Sequence, residues 1–278
     1  QLPGTQTLSP VVCTLEDTRP QLFAVSRPYV SNQVGRTITI TGQGFGAAQG
    51  TGVVTLNGTP ITVNSWTDTQ IAVEVPSNFG GGVYQLEITA DNGQSTVNGL
   101  TIHYLKGSYS PAVYEVGPGM PYATIQSAID AVATNNPQYK ALVVVYPGTP
   151  DLTNPRANPR GAYYENLILY RPMKLQGVGP GGVIAATNTT VPGSIIDGSA
   201  FGGDTALATA WRARIAGMTW VGNQTVSEGE VIYVLAESTG DFTSGGRNSA
   251  NSPHWAAIDG FDIRGGDQQG VPNTITQG

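Results

Sequence analysis

Four aspartates in the second half of the chain are the residues best suited by type to hold a cation. Asp197 sits in Ile-Asp-Gly, Asp259 in a second Ile-Asp-Gly, and Asp262 and Asp267 in "DIRGGD". Calcium takes several oxygen ligands converging on one point, so carboxylates gathered on one face would suit it. Their spacing also has a plainer meaning, because Asp-Gly is a turn dipeptide and Asp262 with Arg264 makes a surface pair. The second set is aromatic. Tyr163, Tyr164, Trp211, Trp220 and Trp255 lie near expected turns or strands. There an exposed ring would stack on the apolar C–H face of a sugar, and a covered ring would pack under a loop. His103, His254 and the single cysteine, Cys13, are far apart in sequence, so a zinc site of the His/Cys type is not expected. No glycine-rich loop joins a strand to a helix, no nucleophile is marked, and no catalytic motif can be assigned.

Composition restricts the scaffold that must carry these side chains. A length of 278 residues allows roughly one to three domains. Glycine (37) and proline (19) make the chain turn-dense, while 39% apolar residues suffice for a folded core. Charged residues are 12% and the net charge of −6 is scattered, with no basic stripe, so nucleic acid is not an expected partner. No run approaches the roughly 18 apolar residues of a membrane span. The start at Gln1-Leu2-Pro3, the low lysine content and the abundant Thr, Asn and Gly fit a processed protein that is secreted or on the extracellular surface.

Residues 1–22 lack periodicity and read as an extended N-terminal segment. From Phe23, short β-branched runs alternate with turns. "RTITITGQGFG" puts Ile38 and Ile40 on one face, and "TQIAVEVP" does the same with Ile71, Val73 and Val75. Asn57-Gly58 and Asp91-Asn92-Gly93 read as hairpin turns. Strands at this spacing over residues 23–105 predict a small antiparallel sandwich. Residues 106–113, "KGSYSPAV", read as a polar linker, and residues 114–278 as a second unit. Ile125, Ala128, Ile129 and Val132 there form the apolar stripe of an amphipathic helix, and Leu142 to Val145 a buried strand after it. Further apolar runs follow between glycine-rich turns, without another helix. Such strands predict parallel stacking in a solenoid. Ile-Asp-Gly recurs at an interval of 62 positions (258 − 196), room for three coils of about 20 residues.

The first unit resembles an IPT/TIG immunoglobulin-like domain over residues 23–105. Gly35, Ile38, Thr39, Ile40, Gly42, Phe45, Gly46, Thr69, Ile71, Val73 and Pro76 fall at that family's characteristic places. The second unit resembles the right-handed parallel β-helix of the pectate-lyase and pectin-esterase type, through "YATIQSAIDAV", "VVVYPG", "YYENLILYRPMKLQGVG" and "GSIIDG". The implied class is all-β: an immunoglobulin-like sandwich, then a right-handed parallel β-helix with an N-terminal capping helix. In that superfamily the first helix covers the open end of the stack, and the stripe at 125–132 would do so here. The resemblance also implies calcium, held in the superfamily's lyases by clustered carboxylates while Lys or Arg abstracts a proton. Asp197, Asp259, Asp262 and Asp267 would then line one lateral face, with Phe261 and Ile263 turned to the core. The esterases' later motifs, which carry their paired catalytic aspartates, are not seen.

These readings converge on a secreted or surface protein whose β-helix is a platform for polysaccharide or a cell-surface glycan, with the sandwich as a spacer or adhesive module. Two other classes stay open: a polysaccharide lyase or hydrolase with active residues partly outside this chain, and a structural subunit of an extracellular filament. The closing stretch "AAIDGFDIRGGDQQGVPNTITQG" carries no capping helix. Further coils, another copy of the chain or a covering chain are therefore expected at that end. No resident cofactor is expected beyond the calcium that the resemblance allows.

Overall fold

A computed structural model of the protein describes residues 18–135, 141–151, 161–199, 201, 205–218, 229–235 and 256–266. Its first strands are β1 (Gln21–Val25), β2 (Tyr29–Ser31), β3 (Thr37–Gln43), β4 (Val53–Leu56), β5 (Thr59–Pro60), β6 (Thr62–Trp66), β7 (Gln70–Glu74), β8 (Gly82–Thr89) and β9 (Leu100–Leu105). They form two sheets, ordered β1-β3-β7-β6 and β2-β9-β8-β4-β5. Pairing is antiparallel except between β2 and β9. The alternation read in "TITIT" sets the packing: Ile38 and Ile40 point inward and meet Ile71, Val73, Leu86 and Ile88 in one apolar cluster. Asn57 and Gly58 have φ of 48° and 75°, the left-handed pair that a two-residue hairpin needs.

The second part contains β10 (Ala112–Val116), α1 (Ile125–Asn135), β11 (Ala141–Val145), β12 (Leu167–Leu169), β13 (Lys174–Gly177), β14 (Gly182–Ile184), β15 (Thr189–Val191), β16 (Ile195–Asp197), α2 (Thr205–Ala216), β17 (Ile232–Val234), β18 (Ala257–Asp259) and β19 (Asp262–Arg264). Here the pairing is parallel. One column is β10-β11-β13-β18, in register along Tyr114, Val143, Leu175 and Ile258. A second joins Tyr163, β16 and β19, and a third joins β12 and β17. The chain visits the columns in the same order each time. Their inward residues form one cluster, which includes Val143, Leu167, Leu175 and Ile196. The stripe of α1 lies on this cluster, with Ile125, Ala128, Ile129 and Val132 all at 0% exposure. Only the short hairpin of β14 and β15 is antiparallel in this part, among the described residues.

The continuous apolar run of β11 has a direct structural reason. Ala141, Val143 and Val145 face the interior of the stack, while Leu142 and Val144 pack on Tyr29 of the sandwich. Both faces of the strand are covered, so no polar position interrupts it.

Several expectations are corrected. A second helix, α2, stands where only strands and turns were expected. The two Ile-Asp-Gly segments are not equivalent: Asp197 pairs with Arg264, 67 positions on, and Gln176 with Asp259, 83 positions on. Their interval is therefore not a coil repeat: Asp197 lies in the second column and Asp259 in the first, with α2 inserted between them. Ile263 is 47% exposed rather than in the core. Within the stretch 106–113, Lys106 bridges to Tyr109 and β10 begins at Ala112.

Candidate functional site

The outward face of the first parallel column carries Glu115, Val144, Gln176 and Asp259 side by side. Three of these are polar, and each is used where the stack meets the sandwich. Tyr29 and Tyr146 both donate hydroxyl hydrogen bonds to Glu115 Oε1 at 2.9 Å. Burial first, then this carboxylate, pushes the Tyr29 hydroxyl up to about 12. The Thr101 amide donates to Asp259 Oδ2 at 2.8 Å. Gln176 Nε2 also donates to Asp259 Oδ2, at 3.3 Å, which leaves Gln176 Oε1 to accept from His103 Nε2 at 3.0 Å. His103 Nδ1 then accepts from the Tyr109 hydroxyl at 2.7 Å. His103 is 2% exposed. Burial, helped by the nearby Lys174 charge, lowers its pKa to about 4 against the opposing pull of Gln176 and Asp259.

Backbone contacts fix the same junction. Val25 N donates to Val178 O at 2.7 Å, and Gly181 N to Phe23 O at 2.8 Å. Val178 and Val191 of the stack belong to the same apolar cluster as the sandwich core. The approach is so close that a Cβ on Gly179 would clash with Phe23 O, and its φ of 131° is itself one that side chains avoid.

Beside this junction runs a cleft of about 620 Å³. Leu22, Gln85, Glu87 and Asn98 line it from the sandwich, and Asp259 and Phe261 from the stack. It adjoins a second cleft of about 250 Å³, with which it shares Leu22, Val97, Asn98 and Pro180. The result is an elongated groove of amides and carboxylates with apolar patches between them, in which Val97 is 67% exposed.

The sites expected from sequence separate. Tyr163 is 9% exposed, and its hydroxyl donates to the Tyr146 carbonyl at 2.9 Å, so it is a core residue. Asp197 accepts from Arg264 Nε at 2.9 Å and from the Ser199 amide at 3.0 Å. Burial raises its pKa, but Ser199 and Arg264 outweigh this and hold it below the usual carboxylate value. Asp262 lies 3.8 Å from the same Arg264. Asp259 is elsewhere, at the junction, so the aspartates do not share a face. Among the described residues, no three His, Cys, Asp or Glu side chains converge to hold a metal. Trp220, Trp255, Asp267, Cys13 and His254 lie outside the described residues.

Tyr164 and Trp211 are brought together in a separate cleft of about 220 Å³ between α1 and α2. Its apolar wall is Ile168, Leu207, Ala210 and Trp211; Gln126, Glu165, Asn166 and Arg214 add polar groups. Glu165 accepts from the Ile125 and Gln126 amides at 2.9 and 3.0 Å, capping α1. Burial raises its pKa against the pull of those two amides. Arg214 makes an ion pair with both oxygens of Asp130 and lies over the Tyr170 ring. Glu165, Asn166 and Arg214 were not singled out from sequence. The signal for Glu165 was present, as an acid next to the run "NLIL", but its partner, the start of α1, is 40 positions away.

Residues 20–104 match the IPT/TIG domain family, and this part of the chain is an IPT/TIG domain. The cyclomaltodextrin glucanotransferase of Bacillus licheniformis is 38% identical over 93 residues, 32% of this chain and 12% of the enzyme. That of Bacillus sp. (strain 17-1) is 43% identical over 65 residues, 22% of this chain and 9% of the enzyme. The matched segments thus span only 9% and 12% of those relatives' lengths. Among solved structures, the family 28 exopolygalacturonase of Yersinia enterocolitica is 14% identical, with a TM-score of 0.21, over 56% of this chain and 31% of that one. No helix among the described residues is long and apolar enough to cross a membrane.

Proposed function

We propose that this chain is a secreted or surface carbohydrate-binding protein, in which polysaccharide lies in the groove between the IPT/TIG domain and the parallel stack. The stack itself is, on this reading, a right-handed β-helix. The units divide at residues 106–113, with 23–105 on one side and 114–278 on the other. The observation that carries the reading is the composition of the groove. Gln85, Glu87 and Asn98 offer donors and acceptors to hydroxyl groups, while Leu22, Val97 and Phe261 offer apolar surface to sugar C–H faces. Clefts at domain junctions are common ligand sites, and here both walls are held by backbone hydrogen bonds, so the groove is preformed. The glucanotransferase relatives of the IPT/TIG domain, named for transferring glucan, fit a carbohydrate setting. Binding is favoured over catalysis because Asp197, Asp262 and Arg264 are tied to one another and do not line the groove.

Calorimetric titration with a starch-type glucan, a mannan and polygalacturonate tests this. At least one polymer is expected to bind. Replacing the exposed Gln85 and Asn98 together by alanine should weaken that binding about tenfold, the effect of losing two hydrogen bonds of ordinary strength. Absence of binding to all three polymers, or binding that the double variant leaves intact, overturns the reading.

A further inference from the structure

The cleft between α1 and α2 is built differently from the groove. Two of its lining side chains carry buried polar atoms with no hydrogen-bond partner: Trp211 Nε1, a donor, and Asn166 Oδ1, an acceptor. Trp211 is 5% exposed and Asn166 7%. Leaving such atoms unpaired is unfavourable, and native proteins pair the great majority of them. Asn166 is otherwise well held, since its Nδ2 donates to the Glu230 carbonyl at 3.0 Å. The indole ring is fixed by edge contacts with Phe201 and Tyr233, at 5.5 and 6.0 Å between centroids. Neither side chain is placed by the hydrogen bond it lacks.

The charges around the cleft leave one carboxylate. Arg214 is neutralised by Asp130, and Glu165 faces the positive end of α1. A ligand there meets one carboxylate and no unpaired cation among the lining residues, a wall of Ile168, Leu207 and Ala210, an aromatic pair, one spare donor and one spare acceptor. A hydroxyl group both accepts and donates, and a sugar ring carries several around an apolar face. The volume of about 220 Å³ is several times the roughly 30 Å³ share of one water in the liquid, so the space suits a single ring and not a chain.

We infer that this cleft is a binding site for one neutral pyranose ring, separate from the junction groove, with Trp211 and Asn166 supplying the specific contacts. The choice of sugar as ligand rests on the carbohydrate reading above; the location and the preference for an uncharged ring do not.

The test is an NMR titration of the full chain with methyl α-glucoside, methyl α-mannoside, methyl β-galactoside and galacturonic acid. The indole N–H resonance of Trp211 is assigned by its loss in Trp211→Phe. At least one neutral glycoside should shift that resonance, and galacturonate should not. Ala210→Arg, at an exposed helical position that tolerates a long side chain, should weaken the interaction at least about tenfold by filling the mouth. Trp211→Phe keeps a ring against Phe201 and Tyr233, so its thermal midpoint should hold while glycoside binding, followed on the ligand's own signals, falls. Alanine at Gln85 and Asn98 should leave the Trp211 shift unchanged. No response to any glycoside, an equal response to galacturonate, or a shift that survives Ala210→Arg overturns the inference. Polymer binding that persists and depends on Gln85 and Asn98 would then show that the groove reading stands without it.

Discussion

Ile129→Asp is expected to unfold the parallel stack. Ile129 is fully buried in α1, in one cluster with Val116, Val143, Leu167 and Leu169. The substitution removes three apolar carbons and puts a carboxylate among apolar side chains. Large-to-small changes at such sites cost about 2–5 kcal/mol, and an unpaired buried polar group adds to this. The sum, about 5 kcal/mol or more, matches the whole stability of many domains. Ile129→Val, which removes one methyl, should cost only about 1 kcal/mol. Urea unfolding followed by circular dichroism reads both. An Asp variant with the wild-type midpoint would show that α1 does not hold the first coil. Because the sandwich shares its core with Val178 and Val191, its own transition should move to lower urea in the same variant.

That coupling bears on how the two parts were read from sequence. The alternation in "TITIT" and "TQIAVEV" was enough for the sandwich, since period-2 burial on one face is a local signal. The stripe of α1 was equally local. The run "ALVVV" announced a strand covered on both sides, but nothing local tells that the second cover is Tyr29 of another unit. Gln176 and Asp259 stand on the outward face of the first column, where their partners, His103 and Thr101, are supplied from far along the chain. A pattern search sees only that the alternation fails. The boundary at "KGSYSPAV" rests on composition, and Tyr109 within it is hydrogen-bonded to His103 of the sandwich.

The cleft between α1 and α2 was harder still. The segment "TALATAWRARIA" has no apolar stripe, so a search by period passes over it. Its alanines, leucine and arginines are nonetheless among the best helix formers, and propensity was the signal that would have found α2. Without that helix, Trp211 looked like a ring under a turn. With it, Trp211 is brought against Tyr164 and Asn166, from the segment that caps α1. The aspartates failed as a site for the opposite reason. Their motif recurred, but the insertions between coils placed the two copies in different columns, so equal sequence did not mean equal position.

Stability is expected to fall as pH drops from about 6.5 to about 4, by about 3 kcal/mol, through His103. In the folded protein its pKa is lowered from 6.5 to about 4, chiefly by burial. Over that interval the unfolded chain takes up a proton that the folded one refuses, so acid favours unfolding. The contribution is complete above pH 6.5, is lost progressively below it, and stops changing below about 4. A shift of this size corresponds to about 3 kcal/mol at roughly 1.4 kcal/mol per unit. The facing groups are Gln176 and Tyr109, in hydrogen bonds, with Lys174 and Asp259 acting through their charges. Lys174 opposes protonation and Asp259 favours it, and neither removes the effect of burial. Glu165 works in the other direction: its raised pKa means that the folded state takes up a proton first, which adds stability as acid is approached near its own titration. The two groups are separated by comparing the wild type with His103→Gln, which keeps a donor toward Gln176 Oε1 and does not titrate. Urea midpoints at pH 7, 5.5 and 4.5 should converge for the two proteins as pH falls, with the wild type losing most of its advantage by pH 4.5. Parallel curves for the two proteins would mean that His103 takes its proton without opening the junction, and the burial argument would be wrong.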